Sequence, residues 1–167
     1  EMFGHIERDV SDWKDEDAVS SYLEQLLRRQ AGDRSGLIYG MGHAIYTLSD
    51  PRAVLLKRFA RRVAEKKDML DEFELFETVE RLAPEVFHRV TGQDKVMCAN
   101  VDLYSGLVYK MMGIPPELYT PLFAIARIVG LCAHRVEEVY NPYGKIIRPA
   151  YKAISPKQAF IPLTQRE

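Results

Sequence analysis

The chain has 167 residues, 47% hydrophobic and 28% charged, with a formal net charge of -1. It is long enough for one conventional core or two small interdependent lobes. It carries no broad basic excess of the kind that displaces counterions from nucleic acid, so no nucleic-acid partner is expected. Cys98 and Cys132 match neither a disulfide framework nor metal-ligand spacing, so buried reduced thiols and no metal site are expected. No apolar run approaches membrane-spanning length and no signal peptide is visible, so no membrane partner is expected and the default address is cytoplasmic. Glu1, not methionine, opens the chain, which is therefore expected to be a piece of a longer polypeptide.

Helical periodicity dominates. Val19, Tyr22, Leu23, Leu26 and Leu27 recur at three-and-four spacing and predict a first helix. G-D-R-S-G at 32–36 breaks it, and L-I-Y-G is a short extended entry to Y-G-M-G-H-A-I-Y-T-L-S-D-P-R-A at 39–53. Asp50-Pro51 predicts the next helix start, since aspartate caps well and proline fits the first helical position. Leu55, Leu56, Phe59 and Val63 are expected to form its buried side, and Lys57, Arg58, Arg61 and Arg62 a solvated one. A helix is predicted over 69–90 with Phe73, Phe76, Val79 and Leu82 on one face, bent or split by Pro84. The next starts at N-V-D-L-Y-S-G and ends at Gly113. I-P-P-E marks a joint, and Thr120-Pro121 opens a long apolar helix to about Val139. The fold class expected is all-α, with strands marginal at best.

Candidate chemistry sits at few positions. Glycines in G-M-G-H allow close backbone approach to a ligand, although G-x-G before a helix more often marks a simple turn. Arg52 lies in a first helical turn where nothing structural demands arginine, and a guanidinium can clamp a carboxylate. Asp102 is either an N-cap or a general base. Arg127 is the only charged residue between Leu118 and Cys132, within P-L-F-A-I-A-R-I-V-G-L-C-A; it is expected to be buried and so to meet an anion, an internal carboxylate or a ligand's. His134 is expected to be structural, and Arg148 in I-I-R-P has similarly apolar flanks. Together they suit an enzyme whose substrate carries several carboxylates and a carbonyl.

These segments resemble the C-terminal part of the citrate synthase and 2-methylcitrate synthase family. G-H-A-I-Y-T-L-S-D-P-R-A resembles its first signature, A-N-V-D-L-Y-S-G its aspartate segment, and A-I-A-R-I-V-G-L-C-A-H-R-V-E-E with I-I-R-P its later arginine segments. The resemblance implies a small helical domain over 1–113 and a C-terminal segment of the large domain over 114–167. It implies that acetyl-CoA, or propionyl-CoA, condenses with oxaloacetate to give citrate, or 2-methylcitrate, and CoA. His43 and Asp102 would be catalytic. His43, Arg52, Arg127 and Arg148 would bind oxaloacetate, Arg148 in the active site of the other subunit of a homodimer. The backbone of Leu37, Ile38, Tyr39, Gly40 and Met41 would line the adenine pocket of CoA. No cofactor beyond the acyl-CoA substrate is implied.

The sequence departs from the family in two respects. The family's further histidine, in a glycine-rich segment, has no match within residues 1–36, and His5 lacks that context. Thr47-Leu48 stands where many relatives carry a basic residue that can meet CoA phosphates. That residue pair bears on CoA affinity or acyl preference, while the unmatched histidine and the missing bulk of the large domain lead to the expectation that the chain alone is inactive. The alternatives are a non-catalytic CoA-binding or regulatory paralogue, which would not need Asp102, and a helical protein-interaction module.

Overall fold

The computed structural model describes residues 1–141, 156, 158, 159 and 161–166. The chain divides into two units, Glu1–Leu122 and Phe123–Glu167. The described elements are helical, and the β pairing among them is an isolated antiparallel bridge between Met41 and Ala99. The all-α expectation holds.

Helix α1 (Met2–Asp9) has no counterpart in the sequence reading. It is one short amphipathic segment, carries Gly4, and its N-cap Glu1 makes no side-chain hydrogen bond, so the usual start signal is missing. What holds it is packing: Met2 and Ile6 are buried, and the Phe3 ring stacks on Phe76 with centroids 3.4 Å apart. Helix α2 (Glu16–Leu27) starts where Asp15 accepts from the amides of Asp17 and Ala18, at 3.0 and 3.1 Å. Its predicted residues Val19, Tyr22, Leu23 and Leu26 are buried, with Leu27 partly so.

Helix α4 (Leu70–Thr91) is the wall shared by two core clusters. One side of it gives Leu75, Val79, Ala83 and Val86 to a core with α1 and α2. The other gives Phe73 and Phe76 to a core with α3 (Pro51–Lys67) and α5 (Val101–Met111). Pro84 lies inside this helix and does not split it. An interior proline costs ~3 kcal/mol; packing on both flanks outweighs that here.

The face of α3 differs from the prediction. Ala53, Ala60 and Ala64 are buried against α5, Leu56 and Val63 are half-buried, and Leu55 and Phe59 are exposed. Small side chains allow the two helices to approach closely, so the apolar stripe with the larger residues was the wrong one to bury. Lys57 leaves the solvated face expected for it, reaching Glu77 at 3.0 Å and Glu80 at 2.7 Å. Ala60→Leu is therefore expected to lower stability by about 1–3 kcal/mol through overpacking. Phe59→Ser should change it by no more than about 0.5 kcal/mol, as a surface substitution does; urea unfolding of the two variants checks the pair.

Gly113 ends α5 in the left-handed region (φ 72°), as expected. After a 3-10 turn at Pro116–Leu118, α6 runs Tyr119–Tyr140. None of its residues is buried among the described ones. Arg127 is exposed, so the burial that would have required an anion is not met; its guanidinium instead lies over the Phe123 ring, 3.3 Å from the centroid. His134 is exposed with Nδ1 3.4 Å from Glu137. Cys132 is exposed too, which corrects the expectation of two buried thiols; Cys98 is buried. Pro116–Tyr140 is also long and apolar enough, at a mean hydropathy of 1.2, to cross a membrane by length and composition. That corrects the expectation that no apolar run approaches such length. The same length and composition suit a helix that packs inside a protein.

Candidate active site

The glycine loop is clipped to the start of α5 by backbone. Gly42 N–H donates to the Cys98 carbonyl at 2.7 Å, and Asn100 N–H donates to the Gly40 carbonyl at 2.9 Å. The Asn100 side chain adds a bond from Nδ2 to the Gly42 carbonyl, 2.9 Å, while its Oδ1 accepts from the Asp102 amide, 2.9 Å. Asn100 is thus the N-cap of α5, and Asp102 is not. The structural alternative for Asp102 falls away, and its exposed carboxylate sits in the first helical turn with no hydrogen bond to it from the described residues.

Gly40 has φ 83°, and a Cβ there would lie 2.8 Å from the Leu103 Cα. Left-handed strain costs ~1–2 kcal/mol by itself for a residue with a Cβ, and the clash is with backbone. Gly40→Ala is expected to lower stability by about 2 kcal/mol or more, and thermal unfolding measures it.

His43 is half-buried, and its Nδ1 accepts the amides of Ile45 and Tyr46 at 3.0 and 3.2 Å. A nitrogen that accepts carries no proton, so the neutral ring holds its proton on Nε2. That nitrogen is the one able to donate to a ligand oxygen. The Tyr46 ring packs on His43, 4.6 Å between centroids, and lies 5.9 Å from the Arg52 guanidinium carbon. Tyr46 therefore spans the two residues the sequence singled out.

Arg52 has a structural reason to be arginine, contrary to the sequence expectation. Asp50, the N-cap of α3, is fully buried. Arg52 Nε donates to its Oδ1 at 3.0 Å and Nη2 to its Oδ2 at 2.8 Å, while the Arg52 amide donates to Oδ1 at 2.9 Å. The Val101 amide donates to Oδ2 from the first turn of α5, at 3.2 Å. The Arg52 hydrogen bonds hold the Asp50 carboxyl below the usual carboxylate range, against the opposing effect of burial. Arg52 in turn is pushed up, first by its bond to Asp50 and, least, by the charge of Asp102. Its side chain remains about half exposed, at 48%, so part of the guanidinium faces outward.

The structure therefore gathers His43, Arg52 and Asp102 within the first unit, at a glycine loop and two helix starts. Arg127 belongs to the second unit. Arg148 lies outside the described residues. Of the loop, Ile38 is buried, Leu37 and Tyr39 are exposed, and the Tyr39 hydroxyl donates to Asp33 at 2.7 Å. What 37–41 leave open is thus backbone and the exposed side chains of Leu37 and Tyr39. A cleft of about 210 Å³ at Leu48, Asp50, Cys98 and Ala99 adjoins the site. A larger groove of about 890 Å³ is lined by Asp12, Glu16, Asp71, Glu74, Glu77 and Glu80 together with Lys14, Lys57 and Arg81, so carboxylates outnumber cations there. Sequence reasoning missed Asn100, Tyr46 and the second role of Asp50. The D-P helix start did point to Asp50 as a cap, and N-x-D at the other start carried the signal for Asn100.

Fold and site together define an all-α domain whose polar groups converge where a glycine–histidine loop meets two capped helix starts. Residues 3–150 match the family described as citrate synthase, C-terminal domain. The chain is 38% identical over 149 residues to citrate synthase of Synechocystis sp., covering 89% of this chain and 34% of that protein. It is 35% identical over 140 residues to citrate/2-methylcitrate synthase of Bacillus subtilis, covering 83% of this chain and 35% of that protein. The crystal structure of citrate synthase from Thermotoga maritima aligns with a TM-score of 0.59 at 30% identity, over 96% of this chain and 40% of that one. The citrate synthase of Thermoplasma acidophilum, in a ternary complex with carboxymethyl coenzyme A and oxaloacetate, aligns with a TM-score of 0.54 at 26% identity, over 90% of this chain and 42% of that one. The chain belongs to the citrate synthase family and spans about a third of the length of these relatives.

Proposed function

We propose that a polypeptide carrying this chain with the remainder of the family's fold condenses an acyl-CoA with oxaloacetate. The observation that carries this is the convergence of His43, Arg52 and Asp102, in a chain of this family. Asp102 takes a proton from the methyl carbon of acetyl-CoA, and the resulting enolate carbon attacks the oxaloacetate carbonyl. His43 donates from Nε2 to that oxygen as it gains charge, the arrangement its two backbone amides favour. Water then cleaves the citryl thioester, releasing citrate and the CoA thiol. Aspartate is a weak base for a carbon acid, so the step depends on orientation and exclusion of water.

Arg52, Arg127 and Arg148 hold the substrate carboxylates in this reading, Arg148 across the interface of a homodimer. Residues 37–41 meet the adenine of CoA. Residues 1–113 form the closing domain and 114–167 belong to the large domain. The address proposed is cytoplasmic. Propionyl-CoA is the alternative acyl donor; one methylene in an apolar pocket separates the two by ~1–3 kcal/mol. The test is oxaloacetate-dependent thiol release from acetyl-CoA and propionyl-CoA. The complete polypeptide is expected to turn over and the chain alone to remain silent. CoA binding without turnover by the complete polypeptide would replace this reading with that of a non-catalytic paralogue.

A further inference from the structure

Asp50 does more than cap a helix. Its carboxylate is fully buried, and its two oxygens serve both element starts of the site at once. Oδ1 takes the Arg52 amide and Nε, and Oδ2 takes Arg52 Nη2 and the Val101 amide. Capping α3 needs only the bond from the Arg52 amide. The other three bonds fix a side chain on α3 and the first residue of α5. Asp102 is the next residue on α5, and its amide is held by Asn100.

We infer that Asp50 is a positioning residue that couples the Arg52 guanidinium to the start of α5, so that the group facing an anion and the carboxylate of Asp102 keep a fixed separation. The coupling itself concerns this chain alone; its kinetic consequence rests on the condensing reading. Capture of a substrate carboxylate by the outward part of Arg52 then acts on a guanidinium already held in one plane, which lowers the ordering cost of binding. A small displacement of the pair would misalign Asp102 with the carbon acid.

Asp50→Asn separates this role from simple capping. Asparagine has one acceptor oxygen, and keeping the cap at Oδ1 puts an NH₂ where Oδ2 received Arg52 Nη2 and Val101. Amide hydrogen exchange of the chain is compared at Val101 and at Leu107, a buried residue of the same helix. Exchange at Val101 is expected to rise about tenfold relative to Leu107. An equal rise at both amides would mean a purely structural role and would overturn the inference. In the complete enzyme, Asp50→Asn is expected to lower kcat on the order of 10–100-fold and to raise the oxaloacetate KM. Asp9→Asn, which replaces one of the two oxygens that accept from the distant Tyr22 and Arg8, serves as the control with unchanged kcat. Unchanged kcat and KM in folded Asp50→Asn enzyme would also overturn the inference. If the unsubstituted enzyme shows no turnover, the condensing reading fails while the exchange ratio still decides the coupling.

Discussion

Asp102→Asn in the complete enzyme is expected to lower kcat by about 10²–10⁴-fold, the span a positioned general base contributes. Oxaloacetate affinity and stability should hardly move. The carboxylate is exposed, it accepts no hydrogen bond from the described residues, and the helix start is capped by Asn100 instead. An isosteric amide therefore removes the base and little else, with a stability change within about 0.5 kcal/mol. Steady-state kinetics with calorimetric binding of oxaloacetate separate these effects. Turnover surviving the change would remove Asp102 from the base role.

Arg52→Ala carries the second large effect, and it acts on stability as well as binding. Removing one partner of a buried ion pair costs roughly 3–5 kcal/mol. Here Arg52 is about half exposed, and Asp50 keeps the amides of residue 52 and Val101, so the expected loss is smaller than that of a fully buried pair. The sign of the pH dependence follows from the direction of the Asp50 shift. Its carboxyl is lowered in the folded state, so the stabilisation is fully present above the unfolded carboxyl's pKa and is lost as pH falls through the folded value. The stability gap between the parent chain and Arg52→Ala should therefore be widest near neutrality and narrow in acid. Urea unfolding across that range measures it; a gap that widens on acidification would contradict the pairing. Oxaloacetate affinity should fall in the same variant.

Much of this was legible in the chain. Residues with strong periodicity and cap signals, such as Val19 to Leu26 behind Asp15 and Pro51 behind Asp50, fall where they were expected. The motif residues His43, Arg52 and Asp102 come together although they are distant in sequence, because two short backbone contacts join the glycine loop to residues 98–100. The failures have physical reasons. Apolar spacing pointed to Leu55, Leu56, Phe59 and Val63 for the buried face of α3, whereas close helix approach selects Ala53, Ala60 and Ala64 and leaves Leu55 and Phe59 exposed. Helix α1 has too few residues for periodicity to register and no side-chain cap. Asp50 looked like a cap and nothing more, since a cap and a bidentate partner share one sequence signature. Arg127 was expected to be buried from its apolar neighbours and is exposed, because an apolar sequence does not say whether the neighbours are covered.

The central claim is that Asp102 removes a carbon-bound proton in a site whose other half is His43 and Arg52. Deuterium uptake into the methyl group of acetyl-CoA, followed by mass spectrometry in heavy water, tests it directly. The complete enzyme is incubated with acetyl-CoA and a dicarboxylate that resembles oxaloacetate but lacks the reactive carbonyl. Uptake that needs the dicarboxylate and disappears in Asp102→Asn is the expected result. Uptake at an undiminished rate in Asp102→Asn would contradict the account.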